Sequence, residues 1–201
     1  MCRADVGVPK VKAAAANLEK WHKVSKTEIE AHHICALKEW PTICKLASES
    51  TVIFNLIDVG DYFDVAVQSL AIIYKAPYVL GGTFSQQLSV DFVKPEATLG
   101  CVKCMFDNLE LEKVKLITPD KILAIKDLSF IPRNNNPIGQ SNVYLASMCA
   151  EMMVARYSTY LLQDPEMEKI SFQRLLFFVS TGESVRFEVP KHPDCLICGK
   201  K

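Results

Sequence analysis

Two features of the 201-residue sequence predict an α/β fold: a partial parallel sheet flanked by helices, with a β-hairpin at the C-terminal end. Short uninterrupted apolar runs ("TVIFNLI", 51–57, and "APYVLGG", 76–82) bracket a segment of helical length, "DYFDVAVQSLAIIYK" (61–75). That is the pattern of a β-α-β unit whose strands are covered on both faces. The second feature is the spacing of cysteines. "CVKC" at 101–104 returns as "CLIC" at 195–198, with 90 residues (105–194) between the pairs. Two thiolates on one tight turn can grip a single metal ion, and a second such turn completes a tetrahedral shell, so Cys101, Cys104, Cys195 and Cys198 read as a structural zinc site. A disulfide pair or idle thiols is the alternative.

Taken in order, "PKVKAAAANLEKWH" (9–22) is alanine-rich, has proline in its first turn, and places Val11, Ala15, Leu18 and Trp21 on one helical face. "IEAHHICAL" (29–37) is expected to be a short strand and "PTICKLASES" (41–50), after Trp40, a helix. The run 51–57 reads as a central parallel strand with Asp58 at its carboxyl end, and Asp61 as a cap for the next helix. "QQLSVDFVKP" (86–95) alternates more and reads as a strand leaving the core toward the first cysteine pair. After the polar loop "IPRNNNPIGQ" (131–140), residues 141–162 carry Val143, Ala146, Ala150, Met153, Tyr157 and Leu161 at helical spacing, a helix expected to pack across the sheet. "RLLFFV" and "SVRFEV", joined by "STGE", form the hairpin that leads to the second cysteine pair. There is no repeat, low-complexity tract or linker, so residues 1–201 are expected to be a single domain.

Composition excludes several classes. Lysine plus arginine balance aspartate plus glutamate at 23 each, so no net field favours nucleic acid or an anionic membrane. No apolar run is long enough to span a bilayer, and no signal-peptide pattern opens the chain. The paired cysteines suit a reducing compartment, and the expected location is cytoplasmic.

The segments "ADVGVPKVKAAAANL" (4–18), "VIFNLIDVGDYFDVAVQSLAIIYKAPYVLGG" (52–82), "CVKC" and "PDCLICG" (193–199), in that order, resemble the ThiF/MoeB/HesA superfamily over nearly the whole chain. These enzymes have a Rossmann-like nucleotide fold and adenylate the C-terminus of ubiquitin-like or sulfur-carrier proteins. The resemblance implies ATP and magnesium as cofactors, a carrier protein as partner, and a homodimer or a heterodimer with a paralogue. It assigns Lys10, the lysine of a "D-x-G-x-x-K" segment, to phosphate, and Asp58 to magnesium and nucleotide. Read without it, Lys10 is a solvated first-turn lysine and Asp58 a helix cap.

The sequence also departs from that pattern. It begins four residues before the "D-x-G-x-x-K" segment and contains no G-x-G-x-x-G turn; "VLGGTF" (79–84) lacks the spacing. The expectation is therefore of a chain corresponding to the C-terminal two thirds of such an enzyme. Between the cysteine pairs the remaining thiol is Cys149, inside the predicted 141–162 helix, and the loop 128–142 has Arg133 but no cysteine. Any activity is expected to stop at the adenylate. The alternatives are a non-catalytic, zinc-stapled module that binds a ubiquitin-like protein or a complete paralogue, and a zinc domain unrelated to this chemistry.

Overall fold

A computed structural model describes residues 5–21, 27–57, 61–84, 87–95, 99–105, 122–123, 157, 161–162, 173–195 and 197–199. The helices are α1 (Lys10–Trp21), α2 (Trp40–Ser48), α3 (Asp61–Ile73) and the single turn α4 (Val102–Met105). The strands are β1 (Ile53–Asn55), β2 (Tyr78–Phe84), β3 (Gln87–Val93), β4 (Arg174–Phe178) and β5 (Glu183–Phe187), forming one sheet in the order β1-β2-β3-β4-β5. The mixed α/β architecture and the β1-α3-β2 unit are as expected. β1 and β2 pair in parallel, with Ile53 opposite Tyr78 and Asn55 opposite Leu80.

Every later pairing is antiparallel. Only residues 85 and 86 separate β2 from β3, and so short a link can make a hairpin but not a crossover. The strand expected to leave the core, 86–95, is instead the middle of the sheet, with Leu88, Val90, Asp91, Phe92 and Val93 all buried. The hairpin β4-β5 forms as expected.

The run 51–57 needs a second correction, since it contributes three residues at the edge of the described sheet and not a central strand. An apolar run reports that both faces of a strand are covered and says nothing about strand order. Here Ile53 packs against the helical side, while Phe54 meets Tyr157 edge to face at 5.9 Å yet stays 40% exposed, and Leu56 and Ile57 beyond it are exposed, so the expected cover on both faces is incomplete among the described residues. Residues 29–35 form no strand; they have no regular structure and are largely exposed, and α2 follows after a turn. On α1 the buried residue is Ala13, with Val11 and Ala15 half-buried and Leu18 exposed, so the inward face is rotated from the expected one.

The core divides across the sheet. On one side α3 lays Val65, Ala66 and Leu70 over Tyr78, Leu80 and Val93, and Trp40 at the start of α2 seals the end of this layer. Trp40 is fully buried, stacks edge to face on Phe63, and donates its indole N–H to the Ile122 carbonyl at 2.7 Å. That satisfies the one polar atom of a side chain otherwise suited to the interior. On the other side Val79, Leu88, Val90 and Phe92 form a smaller cluster with Val52 and Phe177. Of the predicted 141–162 helix, only Tyr157, Leu161 and Leu162 are described; Tyr157 lies against this side and both leucines are exposed.

Candidate metal centre and the carboxyl end of the parallel strands

The first cysteine pair lies on one helical turn. Cys104 and Met105 donate their backbone N–H groups to the Cys101 carbonyl at 2.8 and 3.1 Å, which brings both side chains to the same side with their sulfurs 3.9 Å apart. The second pair sits on a tight turn closed by Cys195 N–H to the His192 carbonyl and Gly199 N–H to the Cys195 carbonyl. Across the two turns, Cys101 meets Cys195 and Cys104 meets Cys198, each at 3.6 Å between sulfurs.

All four sulfurs fall within 4.8 Å of one another, a cluster that could hold a metal ion. Zinc–sulfur bonds of about 2.3 Å in a tetrahedron put sulfurs about 3.8 Å apart. The three close separations bracket that value, so the donor set fits a thiolate-bound metal. Left to themselves, four thiols this close titrate as a set. The hydrogen bond that the Cys101 thiol donates to Cys104 pulls Cys104 down to about 6 and raises Cys101 itself, and contact with Cys101 lowers Cys195. A central cation would let all four ionise together.

Glycine is required on both turns by close approach. A Cβ on Gly100 would meet the Pro190 carbonyl oxygen at 2.7 Å and Cys104 Cβ at 2.8 Å, and one on Gly199 would run into the Cys195 carbonyl and stand 2.7 Å from that of Pro193. Two buried glutamines behind the turns were not singled out by sequence reasoning. Gln68, on α3, accepts the Val102 N–H at 2.8 Å and so ties the first turn to the helix. Gln173 accepts the Val189 N–H at 2.9 Å and donates to the Gly100 carbonyl. The available signal for both was a polar residue beside or within an apolar stretch.

At the carboxyl end of β1 a second polar group is buried. The Asn55 carboxamide donates to Asp64 Oδ1 at 2.8 Å and to the Tyr78 hydroxyl at 2.9 Å, and accepts the Ile57 N–H at 3.2 Å. The Tyr78 hydroxyl in turn donates to the Asp64 carbonyl at 3.2 Å. Burial, reinforced by the Asp64 carboxylate, pushes the Tyr78 phenol well above its ordinary range, so it acts as a neutral hydrogen-bond relay. Further along the sheet, Asp91 is buried and raised to about 7 by desolvation, against the pull of Arg174. Their atoms lie 3.1 Å apart as an ion pair, not as an aligned hydrogen bond.

Lys10 is exposed at the first residue of α1. The preceding turn is held by Val8 N–H to the Asp5 carbonyl, and Asn17 reaches the Asp5 carboxylate at 3.4 Å, so the start of the helix is anchored. Asp58 lies outside the described residues, as do Arg133 and Cys149. His32 and His33 are exposed and join no metal cluster among the described residues; His32 contacts Glu30 at 3.2 Å.

No family model matches the sequence, and no curated protein does. Solved structures do resemble it in fold. Escherichia coli MccB with succinimide aligns over 100% of this chain and 53% of its own, at 16% identity and a TM-score of 0.64. MccB with ATP aligns over 99% and 53%, at 16% identity and a TM-score of 0.62. Selenomethionine PaaA aligns over 94% and 58%, at 14% identity and a TM-score of 0.59. At these identities the likeness is one of fold, and the chain spans about half the length of the MccB chains it matches. Among the described residues no helix is long and apolar enough to cross a membrane.

Proposed function

We propose that this chain belongs to an adenylating enzyme of the ThiF/MoeB/HesA type, which spends ATP to activate the C-terminal carboxylate of a ubiquitin-like or sulfur-carrier protein. The observation that supports this best is the likeness of fold to MccB along the entire chain, since MccB has been crystallised with ATP and with MccA. The ordered sequence segments point the same way independently. In this reading a carboxylate oxygen of the carrier attacks the α-phosphorus, and the bond to the bridging oxygen breaks to release pyrophosphate. The Lys10 ammonium offsets charge on the phosphates, and its exposure leaves it open to a ligand. Asp58 follows the carboxyl end of a parallel strand, where ligands of such sheets gather. Magnesium on that carboxylate would neutralise phosphate charge.

The four cysteines hold zinc as a structural ion, because four thiolates complete the shell and leave no position for a substrate. A homodimer or a heterodimer with a paralogue is the expected assembly. The second reading, a non-catalytic module that binds a ubiquitin-like protein or a complete paralogue, is favoured by one observation: none of the eight glycines forms a G-x-G-x-x-G turn. Oriented backbone N–H groups at such a turn cradle phosphates, and one lysine does not replace them. The test is ATP–pyrophosphate exchange with candidate carriers. The 201-residue polypeptide is expected to show none, and a form joined to a glycine-rich phosphate segment is expected to exchange, with loss on Lys10→Ala or Asp58→Asn. Exchange by the joined form that survives both substitutions would refute the assigned roles, and no exchange with any carrier would favour the binding module.

A further inference from the structure

We propose that Gln173 is a positioning residue that assembles the two cysteine pairs before any metal binds, its side-chain carboxamide standing in for a peptide group between Gly100 and Val189. The proposal rests on the metal reading of the four cysteines. Gln173 is 4% exposed, immediately before β4. Its Oε1 accepts the Val189 N–H at 2.9 Å and its Nε2 donates to the Gly100 carbonyl. In the other direction the Gly100 N–H donates directly to the Val189 carbonyl at 2.7 Å. Residues 100 and 189 are therefore joined by one direct hydrogen bond and one relayed through the carboxamide, a closed ring like that of two paired strands with an amide inserted on one side. The Gln173 main-chain carbonyl accepts the Phe92 N–H at 2.9 Å, which fixes the ring to the end of β3.

The place of this ring in the chain gives it a consequence. Gly100 directly precedes Cys101, and Val189 leads through Pro190 and Pro193 to Cys195. Cys101 and Cys195 are 94 residues apart in sequence. If the metal alone joined the pairs, each binding event would have to close that loop. With the ring in place the two turns already lie side by side, and the ordering cost has been met in folding. The chemistry demands an amide: one end faces an N–H and the other a carbonyl, so the group must accept and donate at once. Glutamate of equal length cannot donate when ionised, and leucine does neither.

The experiment is a titration of metal-free protein with cobalt(II) and, by chelator competition, zinc, for wild type, Gln173→Glu and Gln173→Leu, with melting of the apo and loaded forms. Loss of a group that orients ligands costs metal affinity about 10- to 100-fold. Dissociation constants of both variants are expected to rise within that range, while the thiolate-to-cobalt charge-transfer bands keep their position because all four sulfurs remain. The melting increment between apo and loaded forms should shrink accordingly. Unchanged dissociation constants, with apo and loaded forms melting lower by equal amounts, would make Gln173 merely structural and overturn the proposal. Wild-type protein that takes up neither metal would overturn the metal reading itself, a distinguishable failure. Hydrogen exchange on metal-free wild type needs no variant to fold: the Gly100 and Val189 amides are expected to stay protected, and rapid exchange of both would refute preassembly.

Discussion

Removing the second cysteine pair tests whether the metal site closes the fold. In the double substitution Cys195→Ser, Cys198→Ser, two thiolates remain on the α4 turn and the link to the end of the chain is cut. If the metal stays bound to both pairs as the chain unfolds, a cross-link over 94 residues restricts the unfolded chain by about 16 cal/mol/K, or about 4.7 kcal/mol at 25 °C. A chain of this size unfolds with an entropy of about 0.4 kcal/mol/K, so the melting temperature should fall by about 10 °C. The assay is thermal unfolding of wild type and variant, with and without a strong chelator, alongside metal analysis of the purified proteins. Wild type is expected to carry one zinc per chain and to lose most of the same margin on chelation; the variant is expected to carry none and to ignore the chelator. A variant that retains zinc and melts with wild type would show that the four sulfurs meet for some other reason.

Three further outcomes follow from particular contacts. Gly199→Ala should lower stability by about 1–3 kcal/mol through overpacking, because the atoms its Cβ would displace are backbone ones; the check is the denaturation midpoint, and no change would mean the turn can open freely. Asp91, raised to about 7 in the fold from about 3.9 unfolded, binds more protons folded than unfolded, so its contribution falls as pH rises from about 4 to 7, by at most about 1.4 kcal/mol per pH unit. The difference between wild type and Asp91→Asn across that window isolates it from the opposing acid release of metal, and a flat difference would refute the burial argument. No reductant-cleavable carrier conjugate is expected if the four clustered thiols hold a metal, and burial raises the half-buried Cys44 thiol; a conjugate abolished by Cys149→Ala in a folded protein would show that the transfer step is present.

The parts of this fold legible in the sequence are those governed by local rules. Helix α3 and strands β1 and β2 announced themselves by length and apolar run, and the hairpin β4-β5 by "STGE" between two strand-like segments. The cysteine turns were legible because C-x2-C spacing puts two sulfurs on one turn without reference to the rest of the chain. Strand order was not, because hydrophobicity records only that a face is covered; this is why 51–57 read as central and 86–95 as departing. The inward face of α1 was misjudged for a related reason: in "KAAAANL" the alanines are nearly equivalent, and only packing selects Ala13.

The polar residues that organise the site were illegible for a different reason. Asn55, Gln68 and Gln173 satisfy backbone or side-chain groups that become neighbours only after folding. Apart from the Ile57 N–H that Asn55 accepts, local sequence contains no partner for them, so each looks like an interruption of an apolar stretch. Their buried state is the stronger clue once the fold is known, because burying an amide is costly unless hydrogen bonds offset it; of the three, Gln68 alone keeps one buried atom, Nε2, without a partner. Gln68 ties the first cysteine turn to α3, and Gln173 ties the lead-in of both turns to β3. The cysteine cluster is thereby braced against the two elements that flank the parallel strands, and loosening either glutamine should be felt at the sulfurs before it is felt at β1.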